Sequence, residues 1–249
     1  MTLIPKTKTL LPLKDYLPIS LLGSLYKLLS KVLVTRLVKV MNSIIYLSQS
    51  TFLKGRHLLD GVLIVNEVVD LEKRSKKECM IFKVDFEKAY DSVNWGFLEY
   101  VMRIVGLCDK WVAWMRACIF CGNMFILINE SPTEKISVKR GLKQGDSLAP
   151  FLFLPVDEGF SEVMANAVQR NLFKEFEVKK GGTLTSHLHY MNDTLCIGEA
   201  SIQNLWILKA LLKGFQMASG LKVNFLKSSL IGVNVSPRFM EMACGFLNC

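Results

Sequence analysis

Two short apolar runs, each carrying an aspartate where the chain leaves the strand, constrain this sequence more than any other feature. Met80–Val84 reads as a strand closed by Asp85, and Leu188–Gly198 reads as strand, tight turn and strand, with Asp193 at the bend. A buried strand that ends in a carboxylate places that group at the sheet edge, where it can hold a cation. If the two strands are neighbours, Asp85 and Asp193 converge.

The rest of the chain alternates helical and extended patterns. Pro5, Pro12 and Pro18 make residues 1–20 extended or looping. Leu22 to about Ile45 has helical spacing, with Lys27, Lys31 and Lys39 on one stripe and Leu25, Leu29, Val32 and Leu33 as the expected apolar face. A second helix is expected over Leu58–Glu72, closed by the polar run 72–78, and helical spacing returns over Glu87–Val105. Phe125–Asn129 and Ile136–Lys139 look like strands paired across the turn Glu-Ser-Pro-Thr. Pro150–Ala167 reads as a helix that Pro155 should kink or interrupt. A last long helix should run from an N-cap at Ser201 to Ser219, stopped by Gly220. Strands and helices mixed in this order argue for an α+β fold.

Composition narrows the class. With 51% hydrophobic residues, the chain can bury a sizeable core. The net charge of +9 calls for an anionic partner, nucleic acid or a membrane surface. The charge is concentrated: residues 1–57 contain Lys6, Lys8, Lys14, Lys27, Lys31, Arg36, Lys39, Lys54 and Arg56 against Asp15 alone. Such a face is either simply solvated or tracks a phosphate backbone. Seven cysteines without a framework suit a reducing compartment, and Cys118 with Cys121 is a lone Cys-x-x-Cys lacking a second pair at zinc spacing. The N-terminus has no clean apolar signal, and no charge-free apolar run approaches the roughly 18 residues needed to span a bilayer. The expectation is a soluble, intracellular protein of the nucleus or cytoplasm, not a secreted one.

A pair of carboxylates that supplies part of an octahedral shell, completed by substrate phosphates, is how proteins usually hold Mg²⁺. The residues around the two aspartates sharpen this. The stretch Phe82-Lys-Val-Asp85-Phe-Glu-Lys-Ala-Tyr90-Asp-Ser-Val-Asn-Trp95 closely resembles motif A of non-LTR (LINE-type) reverse transcriptases. Arg140-Gly-Leu-Lys-Gln-Gly145-Asp-Ser-Leu-Ala-Pro150 resembles their motif B. His187-Leu-His-Tyr190-Met-Asn-Asp193-Thr aligns with their Tyr-x-Asp-Asp box, and Ser219-Gly-Leu-Lys-Val-Asn224-Phe-Leu-Lys227-Ser with motif D. Upstream, Asp15-Tyr-Leu-Pro18-Ile-Ser20 and Gln49-Ser-Thr-Phe52-Leu-Lys-Gly55-Arg56 are similar to the fingers motifs. The blocks keep the family's order from about Leu3 to Val235 and look most like plant LINE elements.

The resemblance implies a right-hand polymerase architecture: a basic fingers-like region at 1–79, a palm at 80–235 with fingers elements between motifs A and B, a small antiparallel sheet packed on helices, a truncated end at 236–249 and no thumb. It implies RNA-directed DNA polymerisation by two-metal nucleotidyl transfer, with an RNA template, a DNA primer, deoxynucleotide triphosphates and Mg²⁺. Asp85 would ligand both ions with help from the Phe86 carbonyl, and Asp193 and Asn192 would stand at the motif C metal positions. Tyr90 takes the steric-gate position, Gln144 and Gly145 line the nucleotide pocket, Lys227 is the candidate proton donor to pyrophosphate, and Lys54 and Arg56 reach phosphates from the fingers.

The chain departs from the family where it matters most. Asn192 stands where the family has the first aspartate of the box, so one negative charge is missing and metal affinity should fall. Met191 replaces a small residue, Leu17 stands in place of an arginine, and Ser147 and Ala149 depart from motif B. Weak or absent polymerisation is therefore expected, with an upstream endonuclease and downstream modules absent. The rival expectation is a non-catalytic nucleic-acid-binding remnant that uses the basic N-terminal face.

Overall fold

A computed structural model describes residues 1–5, 16–46, 49, 53, 55, 66, 76–120, 123–128, 131–177, 184–190 and 193–249. The expected helix at Leu58–Glu72 lies outside the described residues except for Asn66, as does Cys121 of the Cys-x-x-Cys pair. The chain divides into two compact units, residues 1–44 with 90–156 and residues 45–89 with 157–249.

In the first unit, Thr2–Pro5 pairs antiparallel with Tyr16–Ile19, the extended conformation that Pro5 and Pro18 favour. The helix Ser24–Ile44 follows. Its buried stripe is Ser30, Leu33, Leu37 and Met41, a spacing of three and four residues that keeps one face of a 3.6-residue helix inward. This corrects the expected apolar face. Leu25, Leu29 and Val32 are 85%, 47% and 44% exposed, because helical geometry puts Leu29 on the flank of that stripe and Leu25 and Val32 further round the helix. Lys27, Lys31 and Lys39 are exposed, as expected of a charged stripe.

The helical pattern over Glu87–Val105 is two helices, Ala89–Ser92 and Trp95–Ile104. The break falls at Asn94, whose side-chain oxygen accepts from Phe97 N at 3.1 Å and caps the second helix. Asp109–Met115 then runs into one wider π-turn, Arg116–Phe120. The next ribbon differs from the expected register. Asn123–Met124 pairs with Ile136–Ser137, and Leu127–Ile128 pairs with Ser131–Pro132. Ser131 and Pro132 thus belong to the ladder rather than to the turn. Thr133 holds them there: its N–H donates to Ile126 O at 2.9 Å and its hydroxyl accepts from Ile126 N at 3.1 Å.

The helix Ala149–Gln169 runs through Pro155 instead of stopping at it. Proline removes one helical hydrogen bond, yet Leu152, Phe153, Leu154 and Val156 around it are all buried, and their burial keeps the helix continuous.

The second unit is built on an antiparallel five-stranded sheet. Its central strand is Cys79–Glu87, longer than the sequence suggested. On one side lies the hairpin His187–Tyr190 and Asp193–Glu199, whose second strand pairs with the central strand; on the other lie Lys222–Val223 and Ser229–Val233. Cys79, Ile81, Leu188, Ile197 and Val233 form one buried cluster with Phe176. An aromatic group stands elsewhere in the unit: Phe86 and Phe160 lie 6.1 and 5.3 Å, ring centre to ring centre, from Phe215. Phe215 belongs to the helix Ile202–Ser219, whose N-cap Ser201 accepts from Asn204 N and whose C-cap Gly220 is left-handed, both as read from the sequence. A shorter helix, Pro237–Leu247, ends the chain.

Candidate active site

Strand alternation builds the site. Along the central strand Phe82, Val84 and Phe86 are buried, while Lys83, Asp85 and Glu87 are only partly covered and share the opposite face. The adjacent strand begins at Asp193, and the register sets Asp193 directly opposite Asp85. Directly opposed residues on neighbouring strands have Cβ atoms roughly 4.5–5.5 Å apart, so the two carboxylates share one small patch. The convergence expected from sequence is therefore what the structure shows.

Each aspartate is held differently. The Asp85 backbone is gripped from the turn 224–228: Asn224 N donates to Asp85 O at 2.8 Å, and Asp85 N donates to Ser228 Oγ at 3.2 Å. Ser228 Oγ in turn donates to Asn224 O at 2.9 Å. Asp193 is held by its side chain, with Lys83 Nζ 2.8 Å from its Oδ2. That hydrogen bond to Asp193 raises the Lys83 ammonium above its ordinary range. Lys227 is exposed on the same turn, its N–H donating to Asn224 O at 3.1 Å. Glu87, further along the face, is paired with Lys222 at 3.1 Å. Phe86 is buried.

One expected site residue of the strand hairpin, Asn192, is not described. Met191 and Asn192 lie outside the described residues, as do Lys54 and Arg56. Beneath the hairpin is a buried polar group that sequence reasoning did not single out. His189 Nε2 stands 3.0 Å from Ser161 Oγ, and its Nδ1 stands 3.0 Å from Thr194 Oγ1. Burial lowers His187 to about 4 and holds His189 well below the usual imidazole range. Four residues before Ser161, Asp157 Oδ2 accepts from Gln49 Nε2 at 3.1 Å, and burial, aided by Glu158, raises the Asp157 carboxyl well above its ordinary value.

The motif B residues belong to the first unit. Gly141 has φ +91°, and a Cβ there would meet Asp91 O at 2.7 Å, so the position requires glycine. Its N–H donates to Val93 O at 2.8 Å, and its carbonyl accepts from Trp95 Nε1 at 2.7 Å. Gly145 has φ +94°, a conformation that selects glycine whatever approaches it. Gln144 O accepts from Ser20 N at 2.9 Å, while Gln144 Oε1 is buried without a hydrogen-bond partner among the described residues. Tyr90 O accepts from Leu142 N at 2.6 Å, and the Tyr90 ring lies 5.0 Å from that of Phe153.

The loop is clasped by residues with no local signal in the sequence. Buried Asp146 accepts from Tyr26 Oη at 2.7 Å, from Ser30 Oγ at 2.5 Å and from Leu148 N at 3.1 Å. Ser30 Oγ is also 2.7 Å from Ser147 Oγ, so the departure at Ser147 puts a hydroxyl where it has a partner. Burial, then the bond to Asp146, raises the Tyr26 phenol. Lys143 Nζ lies 4.4 Å from the centre of the Tyr26 ring and donates to Cys118 O.

Among the described residues no three His, Cys, Asp or Glu side chains gather into a metal cluster; Asp85 and Asp193 supply two carboxylates. Two hard oxygen donors from protein, with the remaining positions left to water and phosphate oxygens, is the donor chemistry of Mg²⁺.

Residues 4–240 match the family described as reverse transcriptase (RNA-dependent DNA polymerase). The chain is 24% identical over 229 residues to the transposon TX1 uncharacterized 149 kDa protein of Xenopus laevis, covering 92% of this chain and 17% of that protein. It is 27% identical over 237 residues to the Pol polyprotein of the type-2 retrotransposable element R2DM of Drosophila melanogaster, covering 94% of this chain and 21% of that one. The chain thus spans about a fifth of the length of these relatives. Among solved structures, apo telomerase of Candida tropicalis superposes with a TM-score of 0.56 at 15% identity over 83% of this chain and 36% of that one. Telomerase of Candida albicans, in complex with a fragment of telomeric RNA, gives 0.54 at 14% identity over 81% and 34%. These likenesses carry the fold, an α+β right-hand polymerase architecture with a small antiparallel sheet packed on helices. The chain belongs to the reverse transcriptase (RNA-dependent DNA polymerase) family and is a reverse transcriptase domain of the non-LTR retrotransposon type.

Proposed function

We propose that this domain is built for RNA-directed DNA polymerisation by two-metal nucleotidyl transfer, and that Asn192 leaves it weak. The observation that carries the reading is the direct pairing of Asp85 with Asp193 on one half-exposed face. Asp85 and Asp193 are the ligands, with the Phe86 carbonyl assisting and Asn192 offering a neutral amide where the family has a carboxylate. When bound, two Mg²⁺ ions supply electrophilic stabilisation to the attacking and leaving oxygens of an in-line displacement. The turn 224–228 fixes the Asp85 backbone and so the direction of its carboxylate. Lys227, exposed on that turn, is suited to hand a proton to pyrophosphate.

The roles of Tyr90, Gln144 and Gly145 toward the incoming deoxynucleotide rest on the motif resemblance. Gln144 Oε1, buried without a hydrogen-bond donor among the described residues, agrees with them, since such an amide oxygen is costly unless a ligand supplies a donor. The substrates in this reading are an RNA template, a DNA primer and deoxynucleotide triphosphates, with Lys54 and Arg56 on phosphates. No helix among the described residues is long and apolar enough to cross a membrane. We further propose a fingers region over residues 1–79, a palm over 80–235, an intracellular site of action and an origin among plant LINE elements.

The exposed Lys27, Lys31 and Lys39 favour a second reading, a nucleic-acid-binding remnant without catalysis. Primer extension on an RNA template, with Asn192→Asp and Asn192→Asp/Asp85→Asn compared, separates the two. Extension by the first variant that is lost in the second supports polymerisation at this site. RNA binding that weakens steeply with salt, with no extension by either variant, favours the remnant.

A further inference from the structure

Lys83 shares the Asp85 face of the central strand, two positions before it. Its ammonium lies 2.8 Å from Asp193 Oδ2, with side-chain exposures of 41% for Lys83 and 27% for Asp193. The strand ladder leaves it Leu195 and Ser229 as cross-strand neighbours, so the bond to Asp193 is a diagonal reach across the face rather than a forced opposition.

Two carboxylates opposed on adjacent strands repel each other, and a cation beside them relieves that repulsion in the metal-free state. We propose that Lys83 is a tethered counter-cation that competes with a divalent ion for the Asp193 carboxylate, so that metal loading requires its ammonium to leave Oδ2. The inference rests on the metal-site reading of Asp85 and Asp193. A lysine fits the task where an arginine would not. Its single point charge sits on a flexible four-carbon stem and can withdraw without moving the backbone, whereas a guanidinium would lock both carboxylate oxygens in a planar fork. The pair is partly exposed, and such pairs are weak enough to open readily. A bound ammonium still takes an oxygen from a site that must offer Mg²⁺ a near-ideal octahedron, and it opposes the ion by charge. Lys83 would therefore hold Asp193 in place without metal and reduce the affinity for metal.

The test is a Mn²⁺ titration followed by electron paramagnetic resonance at fixed pH and ionic strength, on the whole chain and on Lys83→Met, Lys83→Gln and Asp85→Asn. Each variant is first checked for an unchanged circular dichroism spectrum. Removal of the ammonium should tighten the Asp85-dependent Mn²⁺ site about tenfold, the size expected when a like charge a few ångströms away is deleted. In the unmutated chain, ¹³C-labelled lysine should show one ε-carbon resonance, absent in Lys83→Met, moving toward the free-lysine position as Mg²⁺ is added. Unchanged or weaker Mn²⁺ binding in Lys83→Met and Lys83→Gln, or a Lys83 resonance that ignores Mg²⁺, overturns the proposal. Mn²⁺ binding that Asp85→Asn leaves intact would instead show the metal-site reading itself to be wrong, and the proposal would fall with it.

Discussion

Asp85 and Asp193 face each other across one strand pair, yet the fold holds them by opposite means. Asp85 lies in the central strand, gripped through its backbone by Asn224 and Ser228. Asp193 begins its strand and is held through its carboxylate by Lys83. A backbone grip fixes where the residue sits without using its carboxylate, whereas a side-chain ion pair occupies one of the carboxylate oxygens. In the proposed metal site, one ligand would thus be preset and the other restrained until Lys83 is displaced. Asn192, the chain's departure from the family box, adjoins the second of these.

The asymmetry can be broken from the core outward. Phe82 is fully buried on the back of the central strand, in register with Cys196 and Leu230. Phe82→Ala should cost about 3–5 kcal/mol and loosen both aspartates together, seen as a lower urea midpoint.

Acid should act next, and on the Asp193 side. His187 and His189 stay neutral in the folded protein at pH values where the unfolded chain binds protons. Their contribution is complete above pH 6.5 and is lost as pH falls through 6.5 toward about 4. Buried Asp157 works the other way, because its raised carboxyl is protonated in the fold before it is protonated in the unfolded chain. With two histidines opposed by Asp157 and, more weakly, by part-buried Glu175, whose carboxyl burial also raises, stability should fall by up to about 1 kcal/mol per pH unit across that window. Urea unfolding at pH 7 and pH 5 checks it, and a rise in stability toward pH 5 would contradict the assignment.

Ser228→Ala removes one bond of the Asp85 grip and should cost about 1 kcal/mol, with metal affinity falling more than stability does. Lys83→Met should be the mildest for folding, within about 1 kcal/mol of the unaltered chain, because the ion pair is partly exposed. Equal losses of Mn²⁺ affinity in these last two variants would mean that the aspartates are not held by different means.

How much of this was legible in the sequence follows from the range of the interactions. Alternation along 82–87 and the apolar run of 194–197 give the strands, their faces and the convergence of the two aspartates, because side-chain direction along a strand has a period of two. Ser201 and Gly220 mark their helix because caps are local chemistry. Tyr26 and Ser30 gave no signal, since their partner Asp146 lies more than a hundred residues away and no periodicity encodes it. The grip of Asn224 and Ser228 on Asp85 was hidden for the same reason, although the motif D resemblance covers both residues. The exposed Leu25, Leu29 and Val32 misled because apolar residues on more than one helix face leave the buried stripe undecided until a neighbour selects it.

In the function proposed above, polymerisation at Asp85 and Asp193 is held back by Asn192. Primer extension on an RNA template in Mg²⁺ or Mn²⁺, with the unaltered chain beside Asn192→Asp, tests it most directly. Extension by Asn192→Asp, with little or none by the unaltered chain, is the expected result. Vigorous extension by the unaltered chain, or none by a folded, RNA-binding Asn192→Asp, would contradict it.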